Sequence, residues 1–152
     1  MEGVVVVGDV ERNIEVVRRL EDAYNARDYS VLPELVRDDL AAHTPSADPT
    51  GQNRTGLQAN NEGAYSAFPD KVTEIQDIFG EGDLVVTRVR NTGTNTGGLP
   101  WFGIPANDAA VDIEWIQISR HDSDGKIAET WAQMEVPKLM QQLGAMPGPE
   151  GM

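Results

Sequence analysis

The chain has 152 residues, no cysteine and a formal net charge of −13, from 25 acidic and 12 basic residues. This length predicts one domain over residues 1–152, with a core from about 9 to 145 and a flexible tail over 146–152. The charge repels phosphate backbones and anionic lipid, so neither nucleic acid nor a membrane is expected as a partner. The lack of cysteine excludes disulfides and thiolate chemistry, and is consistent with a reducing cytoplasm.

The first half of the chain has the spacing of helices. Apolar residues recur at helical intervals from Val10 to Tyr24, and Asp9 is placed to cap the first turn. A second, shorter helix is predicted over 28–36. A third is predicted over 55–67, and Pro69 indicates where it ends. Between them, residues 40–43 read as an extended segment and 45–54 as a polar loop rich in proline and glycine.

The second half of the chain changes to the pattern of strands. Long segments bounded by glycine, aspartate or proline turns predict strands over 71–79, 84–94, 110–121 and 126–135. A short closing helix over 136–143 and a frayed tail over 147–152 complete the chain. Strands of this length, preceded by helices, predict an α+β fold in which a strongly curved antiparallel sheet wraps against the N-terminal helices.

Six short phrases in this half carry a family resemblance. They are FPD at 68–70, EGD at 81–83, GT at 93–94, GIP at 103–105, DGKI at 124–127 and QLG at 142–144. In this order and at this spacing the chain resembles the SnoaL-like polyketide cyclases over roughly residues 11–145. The resemblance implies a cone of the nuclear-transport-factor type with an open mouth and an apolar interior. It also implies a homodimer that pairs through the outer face of the sheet.

The resemblance also assigns candidate catalytic positions. Aldol cyclases of this family use an aspartate as general acid/base with a histidine beside it, and by register these fall on Ala132 and Gln117. Neither a methyl group nor an amide exchanges a proton near neutral pH. Tyr24 and Asn60 match positions that face the ligand in the family. The candidate catalytic residues are therefore Tyr24, Asn60 and Gln117.

Candidate substrate-binding residues come from the strands, from the third helix and from one loop. Trp115 shares a strand face with Gln117, and Met134 shares one with Ala132, which predicts a largely apolar wall. The glycine-flanked segment from 97 to 103 predicts a mobile lid over an apolar ligand. The full set is Trp115, Ala132, Met134, Leu99, Trp101, Phe102, His43, Tyr65, Arg88 and Glu135.

No cofactor or metal is expected, because the two histidines are distant in sequence and lack the spacing of a metal site. The predicted function is a cyclase that folds a linear, hydrophobic polyketide. Holding the reacting ends together can remove about 7–11 kcal/mol from a barrier, so [4+2] cycloaddition needs no proton shuttle. The family includes a proposed cyclase of this kind from indanomycin biosynthesis. The alternatives are an aldol cyclase with another acid/base and a non-catalytic protein that binds a hydrophobic ligand.

Overall fold

The computed structural model describes residues 7–44 and 53–147. The helices are α1 (Val7–Ala26), α2 (Leu32–Leu35), α3 (Arg54–Ala67) and α4 (Val136–Gln142). The strands are β1 (Val36–His43), β2 (Val72–Glu81), β3 (Leu84–Thr94), β4 (Ala110–His121) and β5 (Ile127–Met134). Short 3₁₀ helices span Tyr29–Val31 and Pro100–Phe102. The α+β class is confirmed, while most of the predicted 45–54 loop and most of the predicted tail lie outside the described residues.

The five strands form one open sheet in the order β1-β5-β4-β3-β2. Four of them pair antiparallel, but β1 pairs with β5 in parallel, so the sheet is mixed rather than wholly antiparallel. No hairpin joins β1 to β5, and a long connection leaves the direction of pairing free. In β2, Gln76 is an extra residue relative to β3. Such a bulge bends a strand and adds to the curvature of the sheet.

The first strand begins earlier than the sequence predicts. The prediction extends the second helix to residue 36, whereas α2 ends at Leu35 and β1 begins at Val36. Val36, Leu40 and Ala42 are buried while the residues between them are exposed. The residues between Val36 and Leu40 are all polar and show no apolar alternation, so the sequence does not indicate that the strand begins at Val36.

Helix α1 is fixed against the inner face of β2 at both of its ends. Near the start of α1, Val10 packs closely against Gly80 of β2. A Cβ atom at position 80 would lie 3.0 Å from the Val10 side chain and 2.9 Å from the Leu84 carbonyl oxygen, so only glycine allows the helix to approach the strand this closely. At the other end the Asn25 side chain donates to the Thr73 carbonyl at 2.8 Å and accepts from the Thr73 amide at 2.9 Å. The buried stripe of α1 therefore faces the concave side of the sheet.

Two apolar clusters form the core on that side. The first joins α1, α2 and β1 to the sheet and includes Val17, Leu35 and Ile127. The second lies at the other end of the sheet, where Ala67, Leu99, Ile104, Val111, Ile113, Leu139 and Leu143 pack together. Both clusters bury branched side chains, which contribute about 1.5–3 kcal/mol each when fully buried. Within the described ranges, no helix is long and apolar enough to cross a membrane.

Candidate active site

Gln117 and Ala132 lie side by side on the concave face of the sheet. Gln117 on β4 pairs in register with Ala132 on β5 and with Thr87 on β3. Ala132 and Thr87 are each 2% exposed, and Gln117 is half-buried. The positions that the family resemblance assigns to a histidine and an aspartate are therefore adjacent, and they hold an amide and a methyl group.

Two further rows of side chains flank this pair. They are Val89, Trp115 and Met134 on one side and Val85, Ser119 and Thr130 on the other. The second row is fully buried. Trp115 and Met134 point to the concave face and yet remain half-buried. Solvent therefore reaches the interior from the Trp115 side, and the wall that it meets is mostly apolar.

Four buried hydroxyl groups lack a hydrogen-bond partner among residues 7–44 and 53–147, namely that of Thr44, which follows β1, and three in the interior. The three in the interior belong to Tyr24, Tyr65 and Thr130, whose residues are 9%, 6% and 2% exposed. A buried hydroxyl without a partner costs roughly 1–3 kcal/mol. Burial also raises the pKa of Tyr24 well above its ordinary value of 10, so this phenol stays protonated and can donate. Unpaired donors of this kind are suited to a polar atom of a ligand.

Glu21 is an interior acid that the sequence prediction misses. It lies on the stripe of α1 that carries Val10, Ile14, Val17 and Tyr24, four residues after Val17 and three before Tyr24. Its side chain keeps some accessible surface, yet desolvation raises its pKa from 4.5 to about 7, partly offset by Lys71. Glu21 therefore lies half-buried on the face of α1 that packs towards the sheet. A single acid inside an otherwise apolar stripe is the signal that could have identified it.

Lys71 is the second interior charge that the prediction misses. Its Nζ donates to the Thr73 hydroxyl at 3.0 Å and lies 4.9 Å from the centre of the Tyr65 ring. Thr73 in turn donates to the Asn91 side chain at 2.6 Å. Desolvation lowers the pKa of Lys71, the nearby Glu21 carboxyl group opposes this effect, and Arg27 adds to it. Lys71 thus sits at the edge of the interior, held by a chain of hydrogen bonds.

Asn60, predicted in the interior, is an exposed residue of α3. The next residue, Asn61, is half-buried and accepts a hydrogen bond from the Tyr29 hydroxyl at 2.6 Å. One residue rotates a helix by about 100°, so a slip of one position exchanges these two asparagines between environments. Tyr65 follows Asn61 by one helical turn, and its ring is covered by the Arg27 guanidinium at 4.2 Å.

Three predicted substrate-binding residues lie outside the concave face, which corrects the prediction. His43 stacks on Trp131 and bonds to Glu129 at 2.9 Å on the outer face. Arg88 pairs with two acids, Asp77 and Glu114, on that same face. Strand alternation explains both positions, because the neighbouring residues Ala42, Thr87 and Val89 are the buried ones.

Glu135 is the third of these residues. It is exposed and accepts a hydrogen bond from the Glu114 amide at 2.8 Å. Its carboxylate also lies 3.7 Å from Lys138 on α4. Glu135 follows the end of β5 directly and flanks the start of α4, so these contacts hold it at the strand end and away from Ala132.

The predicted lid divides into an anchored residue and an exposed tip. Leu99 is 3% exposed and packs in the second core cluster, so it is an anchor rather than part of the lid surface. Trp101 and Phe102 are 47% and 42% exposed on a single 3₁₀ turn. The Trp101 ring lies over Gly63 of α3. Asn95, fully buried, bonds to Pro105, Asn107 and Gly98 and fixes the base of the segment.

The described residues contain no group of three or more histidine or acidic side chains that could hold a metal ion. The two best-formed surface pockets in this part of the chain lie away from the concave wall. One, of about 310 Å³, is lined by residues of α2 and α3 such as Leu32 and Gln58. The other, of about 410 Å³, is polar and is lined by Arg37 and Asp122 among others. The concave face is the candidate active site because the two positions that the family resemblance assigns, Gln117 and Ala132, lie there in register.

Known proteins share this architecture. A sequence model of SnoaL-like polyketide cyclases matches residues 14–143. IdmH from Streptomyces antibioticus, a proposed polyketide cyclase, is similar at 27% identity and a TM-score of 0.75, over 87% of this chain and 98% of that chain. A proposed polyketide cyclase from Bacillus cereus ATCC 10987 is similar at 26% identity and a TM-score of 0.74, over 89% and 82%.

A SnoaL-like structure from Jannaschia sp. CCS1 has a TM-score of 0.80 over 95% of this chain and 100% of that chain. Its sequence identity is 22%, so this likeness is one of fold alone. No functionally curated protein is similar to the chain at a significant level. The family match therefore rests on the sequence model, and the likeness of fold rests on the solved structures.

Proposed function

Because this chain belongs to the SnoaL-like polyketide cyclase family, we propose that it closes a ring in a linear, hydrophobic polyketide by intramolecular [4+2] cycloaddition. The observation that carries the proposal is the Gln117–Ala132 pair. These two residues occupy the centre of the concave wall, and neither can transfer a proton near neutral pH. A cycloaddition needs no such transfer.

The bonding change in this reaction explains why a shaped apolar wall suffices. Four π electrons of a diene and two of an alkene reorganise, two carbon–carbon σ bonds form, and one new π bond remains. No proton leaves or enters the substrate. The barrier lies largely in bringing the two ends together, so the protein accelerates the step by binding the folded chain. In this proposal Trp115, Met134 and Ala132 contact the hydrocarbon and Gln117 orients a polar substituent.

The experiment that tests this proposal is cyclisation by the purified full-length chain. The substrate is a linear polyene that carries a conjugated diene and a terminal enone. We expect formation of the cyclohexene product above the spontaneous rate. A rate equal to that in buffer, with the polyene shown to bind, would instead support a non-catalytic protein that binds hydrophobic ligands.

An aldol cyclase is the second candidate function, and one observation favours it. Glu21 places a titratable carboxyl group on the stripe of α1 that faces the concave side, where the family aspartate is replaced by Ala132. A carboxyl group with a pKa near neutrality can act as a general base. The two candidate reactions differ in whether a carbon–hydrogen bond of the substrate is broken, and this difference can be measured directly.

We also propose that the chain forms a homodimer through the outer face of its sheet. A continuous row of side chains crosses the five strands on this face, and it consists of Phe79, Val86, Ile118, Trp131 and His43. Phe79 is 59% exposed and Ile118 is 37% exposed. A contiguous apolar row on a sheet face is typical of an interface, and a two-fold axis would place it against its own copy.

Ile118→Lys is expected to convert a dimer into a monomer, because it places a charge at the centre of this row. Sedimentation velocity at several protein concentrations measures the change. Val72→Lys is the matched control, since Val72 is an exposed apolar residue of β2 that lies outside the row. A wild-type protein that stays monomeric at all concentrations would contradict the dimer.

A further inference from the structure

We propose that Glu21 donates a hydrogen bond from its carboxyl group to a carbonyl oxygen of the substrate. This inference rests on the proposed function, because the carbonyl belongs to the enone that activates the alkene in the cycloaddition. The ligand is therefore a hydrophobic chain with a conjugated carbonyl group. Glu21 is a catalytic residue in this account, since it contacts the reacting system.

Glu21 lies on the face of α1 that is turned towards the concave side of the sheet. The Asn25–Thr73 bonds and the contact between Val10 and Gly80 hold α1 along β2. The stripe that contains Glu21 therefore faces the concave side, between those two fixed points. Glu21 lies one helical turn before Tyr24, whose buried hydroxyl also lacks a partner. Two polar groups of α1 thus reach the same interior.

The Glu21 carboxyl group has no partner among the described side chains. Within residues 7–44 and 53–147 the Glu21 carboxyl group makes no hydrogen bond and no ion pair, while Lys71 bonds to Thr73 instead. A buried ion pair stabilises a fold only when its charged atoms are in good contact. If Glu21 and Lys71 formed a purely structural pair, we would therefore expect them to be in direct contact. The carboxyl group is instead left available to a ligand.

Desolvation has the largest effect on the pKa of Glu21, and the surrounding charges modify it. Lys71 approaches from the start of β2 and favours the carboxylate, and Asp22 on the same helix disfavours it. Tyr24 on α1 and Tyr65 on α3 are the phenols nearest to its charge, and both stay protonated because burial raises their pKa. Desolvation outweighs these effects and raises the pKa of Glu21 to about 7.

A neutral carboxyl group in an apolar site is a good hydrogen-bond donor to a carbonyl oxygen. Negative charge builds up on that oxygen as the enone accepts electron density in the transition state, so a fixed donor stabilises the transition state more than the ground state. The proton stays on Glu21 throughout, and the cycloaddition remains free of net proton transfer. The donor weakens as pH rises through about 7, because the carboxylate can only accept.

The test uses β-ionone, a hydrophobic conjugated ketone, labelled with ¹³C at its carbonyl carbon and bound to the full-length chain. A hydrogen bond to the oxygen moves this resonance downfield. We expect the bound wild type to show the shift at about pH 5.5 and to lose part of it at about pH 8.5, on either side of the Glu21 pKa. Glu21→Gln should give the same shift at both pH values, because its amide donates at either.

Glu21→Ala should show a smaller shift that does not change with pH, and roughly tenfold weaker binding of the ketone. Glu15→Gln is the matched control on the exposed side of α1 and should behave like the wild type. An identical resonance in wild type and Glu21→Ala at about pH 5.5 would overturn the inference. The binding test requires no turnover, so it is independent of the proposed reaction. Cyclisation by a protein that shows no such shift would refute only the proposed hydrogen bond from Glu21. The shift without cyclisation would refute the proposed reaction and leave the carbonyl site standing.

Discussion

Replacing Ala132 by aspartate is expected to lower the rate of cyclisation by about 100-fold or more, although it restores the acid that aldol cyclases of the family carry. The introduced carboxyl group would enter a mostly apolar wall, between Thr130 and Met134 along β5, at a position that is 2% exposed. It would occupy space needed by the substrate and draw water towards the site. Lost shape and altered solvation both raise the barrier of a reaction that depends on preorganisation.

The same change is expected to lower the free energy of unfolding by about 3–5 kcal/mol near neutral pH, as for other uncompensated buried charges. Burial without a cationic partner raises the folded-state pKa of the new carboxyl group above its unfolded value. The penalty should therefore be small below the unfolded pKa and grow as pH rises through the folded one. Chemical denaturation at several pH values measures this trend.

Two variants separate the contributions to this result. Ala132→Asn adds a side chain of similar volume without a titratable group, and Gln133→Asp adds an acid at the next residue, which is exposed on the outer face. Asparagine should share the loss of activity without its pH dependence, and Gln133→Asp should have little effect. Faster cyclisation by Ala132→Asp would contradict the proposed reaction and favour proton-transfer chemistry.

The double variant Trp101→Ser, Phe102→Ser is expected to bind the polyene about 30- to 150-fold more weakly than the wild type. The two rings are about half exposed on their 3₁₀ turn, and we propose that they close over the substrate. Removing their apolar contact forfeits about 2–3 kcal/mol of ligand burial. The thermal midpoint should change little, because the tip contributes little to the core. Titration with the polyene and a thermal melt measure these two quantities.

Leu99→Ser is the contrasting variant for the lid. Leu99 is buried in the second core cluster, so this change should lower stability by about 2–4 kcal/mol. Hydrogen exchange of the segment 97–103, compared with and without β-ionone, reports whether the tip becomes ordered around a ligand. If the double serine variant unfolded the protein and the folded fraction kept its affinity, the tip would be a structural cover and the lid would be wrong.

Much of the fold could be predicted from the sequence because its signals are local. The alternation along β4 is enough to place Val111, Ile113 and Ser119 on one face and Ile116 and Ile118 on the other. The helical spacing in α1 likewise identifies its buried stripe. The start of β1 and its parallel pairing with β5 were not predictable, since they depend on burial by distant segments rather than on local pattern.

The candidate site was harder to predict than the fold. Family register led to the concave pair Gln117 and Ala132, because β-strand parity is robust once the register is known. Two predicted substrate-binding residues, His43 and Arg88, lie one residue away from inward positions. Glu21 was missed although it is a single acid within an apolar stripe, and the packing of α1 on β2 then shows that this stripe faces the concave side. Charges that act across elements are visible only after the elements are assembled.

Cyclisation in D₂O tests the central claim most directly. The linear polyene enone is incubated with the full-length chain in D₂O, and the product is analysed by mass spectrometry and by ²H NMR for deuterium on carbon. Cycloaddition breaks no carbon–hydrogen bond, so the account predicts a ring that carries no deuterium on carbon and retains the mass of the starting chain. An aldol closure proceeds through an enolate, and reversible formation of that enolate exchanges the protons beside the carbonyl with solvent deuterium before the carbon–carbon bond forms. Deuterium incorporated at that carbon during enzymatic turnover, and absent from the spontaneous product, would contradict the account.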